Sequence, residues 1–341
     1  MSVAAVEGAR ARRLTERVFR VRELGIVVVL ALLILVTGIL EPRFLDAGSL
    51  RNLALNASIF AILAAGQTLV LITRNVDLSV GSVLGLAAFM AGDLLSKNPG
   101  MPLPLVFVLG MALGAACGLL NGVLTTWGRV PALVVTLGTL YAFRGLCFLW
   151  TDGRQVNAET LPDAFLNIGT DSILGVPYMV LIALVVILIV GQWLRDYRAG
   201  RELYAIGSNP DGARLAGVRS DRRVLTAFVL AGALAGLGGV LFTARFGTVD
   251  ATAGVGYELT VIAAAVVGGV AIFGGTGSVY GAALGALLLG TITSSLIVLR
   301  VQAFWQLAAT GALLLAAIAF DRLVAVRVEA ALRRRSARRA G

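Results

Sequence analysis

The chain contains no histidine. That removes the commonest general base and the commonest metal ligand. It has a single lysine, Lys97, in Leu95-Ser96-Lys97-Asn98, so no Gly-x-x-x-x-Gly-Lys-Ser/Thr phosphate loop is possible. The only cysteines, Cys117 and Cys147, each lie inside an apolar run and read as reduced packing residues, not as a disulfide or a metal pair. Charge is scarce as well, at 14% of residues. No metal site and no cofactor is expected in this chain, and no cluster of side chains reads as catalytic.

What is present is apolar. Of 341 residues 58% are hydrophobic, where a soluble domain carries about 45–50%. The mean hydropathy is +0.90. Both values indicate an integral membrane protein. The net charge of +10 does not point to nucleic acid, because the arginines sit at segment ends and in loops.

A helix needs about 20 mostly apolar residues to cross a bilayer. Ten segments approach this: 24–40, 53–73, 78–95, 103–126, 131–149, 173–194, 224–243, 258–273, 277–299 and 303–320. The third begins in polar residues and the eighth is short, so those two are expected to be broken or re-entrant. The predicted fold is therefore an all-α integral membrane protein of about ten transmembrane helices. Residues 1–23 form a basic tail, 24–321 the membrane domain and 322–341 a second basic tail. The first apolar segment has no small-x-small cleavage pattern after it and reads as a retained span.

Arginine orients the helices. Residues 1–23 hold six, 195–223 hold seven, and the chain from Arg322 onward holds seven. Ten spans put all three regions on one face, the cytoplasm, with both termini inside. The opposite loops, 41–52, 96–102, 150–172 and 244–257, carry more acid than base.

Small residues recur at four-residue spacing in Gly81/Gly85, Gly114/Gly118/Gly122, Gly232/Gly236 and Gly277/Gly281/Gly285. Such spacing lets helix backbones approach closely. Gly81-Ser82-Val83-Leu84-Gly85 also echoes Gly277-Ser278-Val279-Tyr280-Gly281, a possible internal pseudo-repeat of the kind found in transporters.

A few polar residues interrupt the apolar pattern. In 72–81, Asn75, Asp77 and Ser79 either cap the next helix or line the inner end of a pathway. Arg144 and Glu258 lie within spans, where ionisable groups are usually paired or face a pore. They either meet near the outer face or snorkel separately. Asn121, Thr136 and Thr139 bond a neighbouring helix or a hydroxyl-rich solute.

The longest polar interruption is "GRELYAIGSNPDGARLAGVRSDRR", from Gly200 to Arg223. Arg201–Gly207 reads as one short helix, Asn209-Pro210 as a break and Asp211–Ala216 as a second helix. It is either a solvated basic loop or a docking surface for a cytoplasmic partner.

Four ordered blocks carry a resemblance. They are "EPRFLDAGSLRNLALNASIFAILAAGQTLVLITRNVDLSVGS", "NGVLTTWGRVPALVVTLGTLYAFRG", "GRELYAIGSNPDGARLAGV" and "AVVGGVAIFGGTGSVYGAALGA". From Glu41 to Asp321 the sequence resembles the membrane permease subunits of carbohydrate-importing ABC transporters, the group of ribose, xylose, rhamnose and autoinducer-2 permeases. Many members carry Gly-Gly where Arg74-Asn75 stand here. That substitution and "RGLCFLWTDGRQVNAETLPD" look more like the autoinducer-2 and rhamnose permeases.

The resemblance implies alternating access for a small neutral sugar or sugar-like solute. It implies a loop coupled to a partner ATPase through Arg201, Glu202, Ala205, Ile206, Gly207, Ser208, Asn209, Ala213 and Gly217. ATP and magnesium would be bound by that partner. A second permease chain and an extracytoplasmic solute-binding protein would complete the assembly, in the cell (inner) membrane, with lipid around it. The rival readings are an ion-coupled secondary transporter, a membrane enzyme and an exporter.

Overall fold

The computed structural model describes residues 24–302 and six positions beyond them, 304, 305, 308, 311, 312 and 315. The two basic tails and most of the expected span 303–320 lie outside the described residues.

The fold is built from helices. They are α1 (Leu24–Leu40), α2 (Ala47–Ile72), α3 (Val80–Lys97), α4 (Leu103–Thr126), α5 (Ala132–Thr151), α6 (Asp163–Thr170), α7 (Tyr178–Asp196), α8 (Arg198–Ser208), α9 (Pro210–Leu215), α10 (Ser220–Phe246), α11 (Tyr257–Val267) and α12 (Val279–Val298). Seven of them, α2, α3, α4, α5, α7, α10 and α12, are long and apolar enough to cross a membrane. A two-stranded hairpin, β1 (Ser172–Ile173) with β2 (Val176–Pro177), precedes α7. Its turn residues Leu174 and Gly175 both have positive φ.

α2, α3 and α10 are buried along most of their length, whereas only about a third or less of α4, α5 and α7 is buried. The exposed side chains of the outer helices include Leu133, Val134, Leu149, Leu188 and Ile189. An apolar surface of this kind is what lipid requires.

The glycine spacing does what close packing needs. A Cβ on Gly114 would strike the carbonyl of Gly232, and one on Gly118 the carbonyl of Phe228. In return, a Cβ on Gly236 would strike the carbonyl of Gly110. α4 and α10 therefore cross backbone against backbone.

The apolar segment 258–273 is helical only as α11, which stops before Gly268-Gly269. Residues 268–278 are irregular, with positive φ at Gly269, Gly274, Gly275 and Gly277. The expectation that this short segment is broken agrees with α11 ending at Val267, although Val270-Ala271-Ile272-Phe273 continues the hydrophobic run without continuing the helix. The preceding segment, 251–256, lies against α3: a Cβ on Gly81 would meet the carbonyl of Gly254, and one on Gly85 that of Ala253.

The two echoed motifs both fall at helix starts, but in different registers. Gly81 is the second residue of α3, whereas Gly277 precedes α12 by two. Ser278 caps α12 by accepting from the Gly281 N–H at 3.3 Å.

Candidate functional site

Asp77 and Ser79 meet polar residues of α4 and α5 in one buried chain of hydrogen bonds. Thr139 Oγ1 donates to Asn121 Oδ1 at 2.7 Å, and Asn121 Nδ2 donates to Ser79 Oγ at 2.8 Å. Ser79 Oγ in turn donates to Asp77 Oδ1 at 2.7 Å, and Ser79 N–H donates to the same oxygen at 2.8 Å. Thr136 Oγ1 donates to the Val76 carbonyl at 3.2 Å. With its amide turned to suit its neighbours, Gln67 of α2 bonds both the N–H and the C=O of Asp77.

Five of the sequence-selected residues, Asp77, Ser79, Asn121, Thr136 and Thr139, are thus drawn together. All five are buried. They bond one another and the backbone, which is the helix-bonding alternative. Ser79 occupies the cap position of α3 without a side-chain cap bond. Asp77 closes a local Asx turn just before it. Asn75 stays local, with Nδ2 donating to Thr73 O at 3.0 Å and to Thr73 Oγ1 at 2.9 Å.

Arg144 and Glu258 flank α3 without pairing. Arg144 Nη1 donates to the carbonyls of Ala251 and Ala253, at 2.8 and 2.6 Å. A Cβ on Gly81 would meet Glu258 Oε2, and one on Gly85 would meet Arg144 Nη1. The two side chains therefore lie against positions of α3 that are one helical turn apart. No ion pair joins them among the described residues. Arg144 instead satisfies backbone carbonyls of the irregular segment before α11. The two side chains approach each other along α3 without forming an ion pair.

The polar stretch from 198 to 215 forms two helices, α8 and α9, separated at Asn209. Asn209 caps α9, its Oδ1 accepting from Gly212 N–H at 3.0 Å, with Pro210 opening the helix. α8 is amphipathic. Glu202, Leu203, Ile206 and Gly207 are buried, while Arg201, Ala205, Ser208 and Asn209 are exposed. In α9 and beyond, Ala213 is buried and Gly217 exposed.

Of the residues selected as a docking surface, Arg201, Ala205, Ser208, Asn209 and Gly217 are available to a partner. Glu202, Ile206, Gly207 and Ala213 anchor the helices. Sequence reading missed Leu215, 91% exposed, and Tyr197, 62% exposed, which add apolar surface to the same region. The available signal was an apolar residue at each end of an otherwise polar stretch.

Glu202 holds α8 to α10. Its carboxylate accepts from Arg198 Nε at 2.7 Å and from Arg223 Nε. Burial works to raise its carboxyl, but the hydrogen bonds and charges of Arg223 and Arg198 together outweigh this and hold it below the usual carboxylate range. Tyr204 donates from Oη to the Gly277 carbonyl at 2.9 Å, and burial pushes its hydroxyl up to about 12.

Cys117 and Cys147 are buried and unbonded to each other. Among the described residues no group of three or more Cys, Asp or Glu side chains is placed to hold a metal ion.

A family described as "Branched-chain amino acid transport system / permease component" matches residues 49–318. The chain is 38% identical over 313 residues to "Autoinducer 2 import system permease protein LsrC" of Escherichia coli (strain K12 / DH10B), covering 92% of this chain and 90% of that protein. It is 37% identical to the protein of that name in Shigella flexneri, with the same coverage, and 37% identical to that of Salmonella choleraesuis (strain SC-B67), covering 92% and 89%. No solved structure matches the chain. The resemblance read from the four sequence blocks therefore holds. The chain belongs to the permease-component family and is a multi-pass protein of the cell membrane.

Proposed function

We propose that this chain is the permease subunit of an ABC importer that brings autoinducer 2, or a closely similar sugar-like solute such as rhamnose, into the cell. The observation that carries the reading is the 38% identity with the autoinducer-2 permease over nine-tenths of both chains. The family description speaks of amino acids. A relative aligned along most of its length bears more closely on the solute than a description covering a whole family.

In this reading ten spans place both termini, α8 and α9 in the cytoplasm, as the arginine distribution requires. The exposed face of α8 and α9 seats in a cleft of a separate ATPase, which binds ATP and magnesium. A second permease chain completes the membrane pathway, and a solute-binding protein delivers cargo at the opposite face. Alternating access follows from rocking of the helices around α3 and α11, whose starts are flanked by irregular backbone. In transporters such breaks occur where helices line a cavity.

The test is uptake into proteoliposomes holding the chain with its ATPase, its second permease and its binding protein. ATP-dependent accumulation of autoinducer 2, unaffected by an uncoupler, is expected. Accumulation that needs an ion gradient and no ATP would overturn the importer reading in favour of an ion-coupled transporter.

A further inference from the structure

The turn between α2 and α3 carries a cation that meets no carboxylate. Arg74 takes part in none of the ion pairs among the described residues. Its backbone is left-handed, with φ 65°. The position directly follows the last turn of α2, where Thr73 N–H and Arg74 N–H donate to the carbonyls of Val70 and Leu71. Glycine is the residue favoured there. A side chain in this conformation persists only where its surroundings hold it.

What holds Arg74 is the end of α8. Its Nε donates to the Gly207 carbonyl at 2.5 Å and its Nη2 to the Ser208 carbonyl at 2.9 Å. These are terminal carbonyls, at the negative end of the helix dipole, where a cation is favoured. The fit depends on Gly207 lacking a side chain, since a Cβ there would strike the Ile72 carbonyl and Gly275 N. Gly275 N–H itself donates to the Ile72 carbonyl at 2.8 Å.

α8 is also held to the other interrupted region, through Tyr204 on Gly277. One short helix thus grips both irregular segments that lead into the echoed Gly-Ser-Val elements. Asp77, three positions after Arg74, begins the buried chain to Asn121 and Thr139.

We propose that Arg74 is the positioning residue that makes the α2–α3 turn move with α8, passing displacement of α8 to the buried chain of Asp77, Ser79, Asn121 and Thr139. The proposal rests on the importer reading, in which α8 is the element the ATPase moves. Charge-assisted bonds to a helix end transmit a pull in both directions and break if the end moves away.

Arg74→Gly suits the backbone, because glycine accepts the positive φ. Relief at the positive φ offsets part of the lost bonding, so the variant is expected to fold and to melt within a few degrees of wild type. In the reconstituted complex with autoinducer 2 as probe, ATP hydrolysis continues while ATP consumed per solute moved rises at least about tenfold, the scale of a coupling free energy between sites. Arg74→Lys keeps the charge without the two-pronged geometry and falls between.

In the isolated permease, hydrogen exchange in the last turn of α8 rises in Arg74→Gly. An unchanged ATP-to-solute ratio, or unchanged exchange in α8, overturns the proposal. Failure of the importer reading is distinguishable: it appears in the wild-type complex as uptake that ignores ATP, whatever α8 exchange shows.

Discussion

The side-chain amide of Asn121 bridges two hydroxyls, donating to Ser79 Oγ at 2.8 Å and accepting from Thr139 Oγ1 at 2.7 Å. It is thereby the one residue of α4 that ties the start of α3 to α5 within the buried chain. Asn121→Leu removes both bonds and leaves two buried hydroxyls facing an apolar side chain. The expected loss is about 1–3 kcal/mol, nearer the low end because such bonds in membrane proteins average about 0.6 kcal/mol each. Thr139→Val removes one bond and costs less. Thermal melting of the purified protein in detergent would measure both, and an Asn121→Leu variant melting at the wild-type temperature would refute the structural role.

Glu202 gives α8 a pH dependence whose sign follows from its lowered carboxyl. A group held below its ordinary value of 4.5 stabilises the folded arrangement above that pH. The contribution is lost as pH falls through the lower, folded value. Protection of the α8 amides, taken relative to the intrinsic exchange rate at each pH, should therefore be high at neutral pH and fall on acidification below that value. Glu202→Gln should exchange faster at neutral pH and lose most of the acid dependence. Equal exchange in the two proteins at pH 7 would show that the carboxylate does not hold α8.

Glycines in different helices should differ sharply in tolerance. Gly118→Val sets a branched side chain against the carbonyl of Phe228 and is expected to destabilise by at least about 1–3 kcal/mol, the usual cost of overpacking. Gly138 and Gly145 of α5 have open space where a Cβ would stand. Alanine at either should melt within about 0.5 kcal/mol of wild type, or slightly higher, because alanine favours a helix. Yield and melting temperature of the three variants check the contrast.

Leu215 is 91% exposed at the end of α9. Leu215→Ser should leave melting unchanged to within about 0.5 kcal/mol. Under the importer reading it should weaken retention of the ATPase subunit in a pull-down with the tagged permease. Full retention of the ATPase would remove Leu215 from the docking surface.

The long helices were legible because apolar composition, glycine spacing and arginine position are local signals. The break at Asn209 was legible too, since Asn-Pro both caps and interrupts. α6 was missed inside a stretch read as an outer loop. Its eight residues, Asp163–Thr170, gain their place by packing Phe165 into the core, a tertiary effect. The meeting of Ser79 with Asn121, 42 positions apart, has no local signature either. Polar residue types marked the participants, but only the packing of α3, α4 and α5 determines that they bond each other. Arg74 was visible as an unusual residue at its position, whereas its grip on Gly207 lies 133 positions away.

α11 bears on how the protein is made. Its eleven residues span about 16 Å at 1.5 Å each, roughly half of the ~30 Å hydrocarbon layer. Such a piece cannot enter lipid alone, because the backbone groups at both of its ends would be stranded without partners. Here the irregular backbone on either side of α11 is bonded by groups from elsewhere in the chain: Arg144 for the carbonyls of Ala251 and Ala253, and Ile72 for the N–H of Gly275. During synthesis α2, α3 and α5 emerge first and can stand as independent spans, while α11 must wait for them. Insertion of the long helices and placement of α11 are therefore separable events, and the earlier helices carry polar groups that can receive the backbone around it.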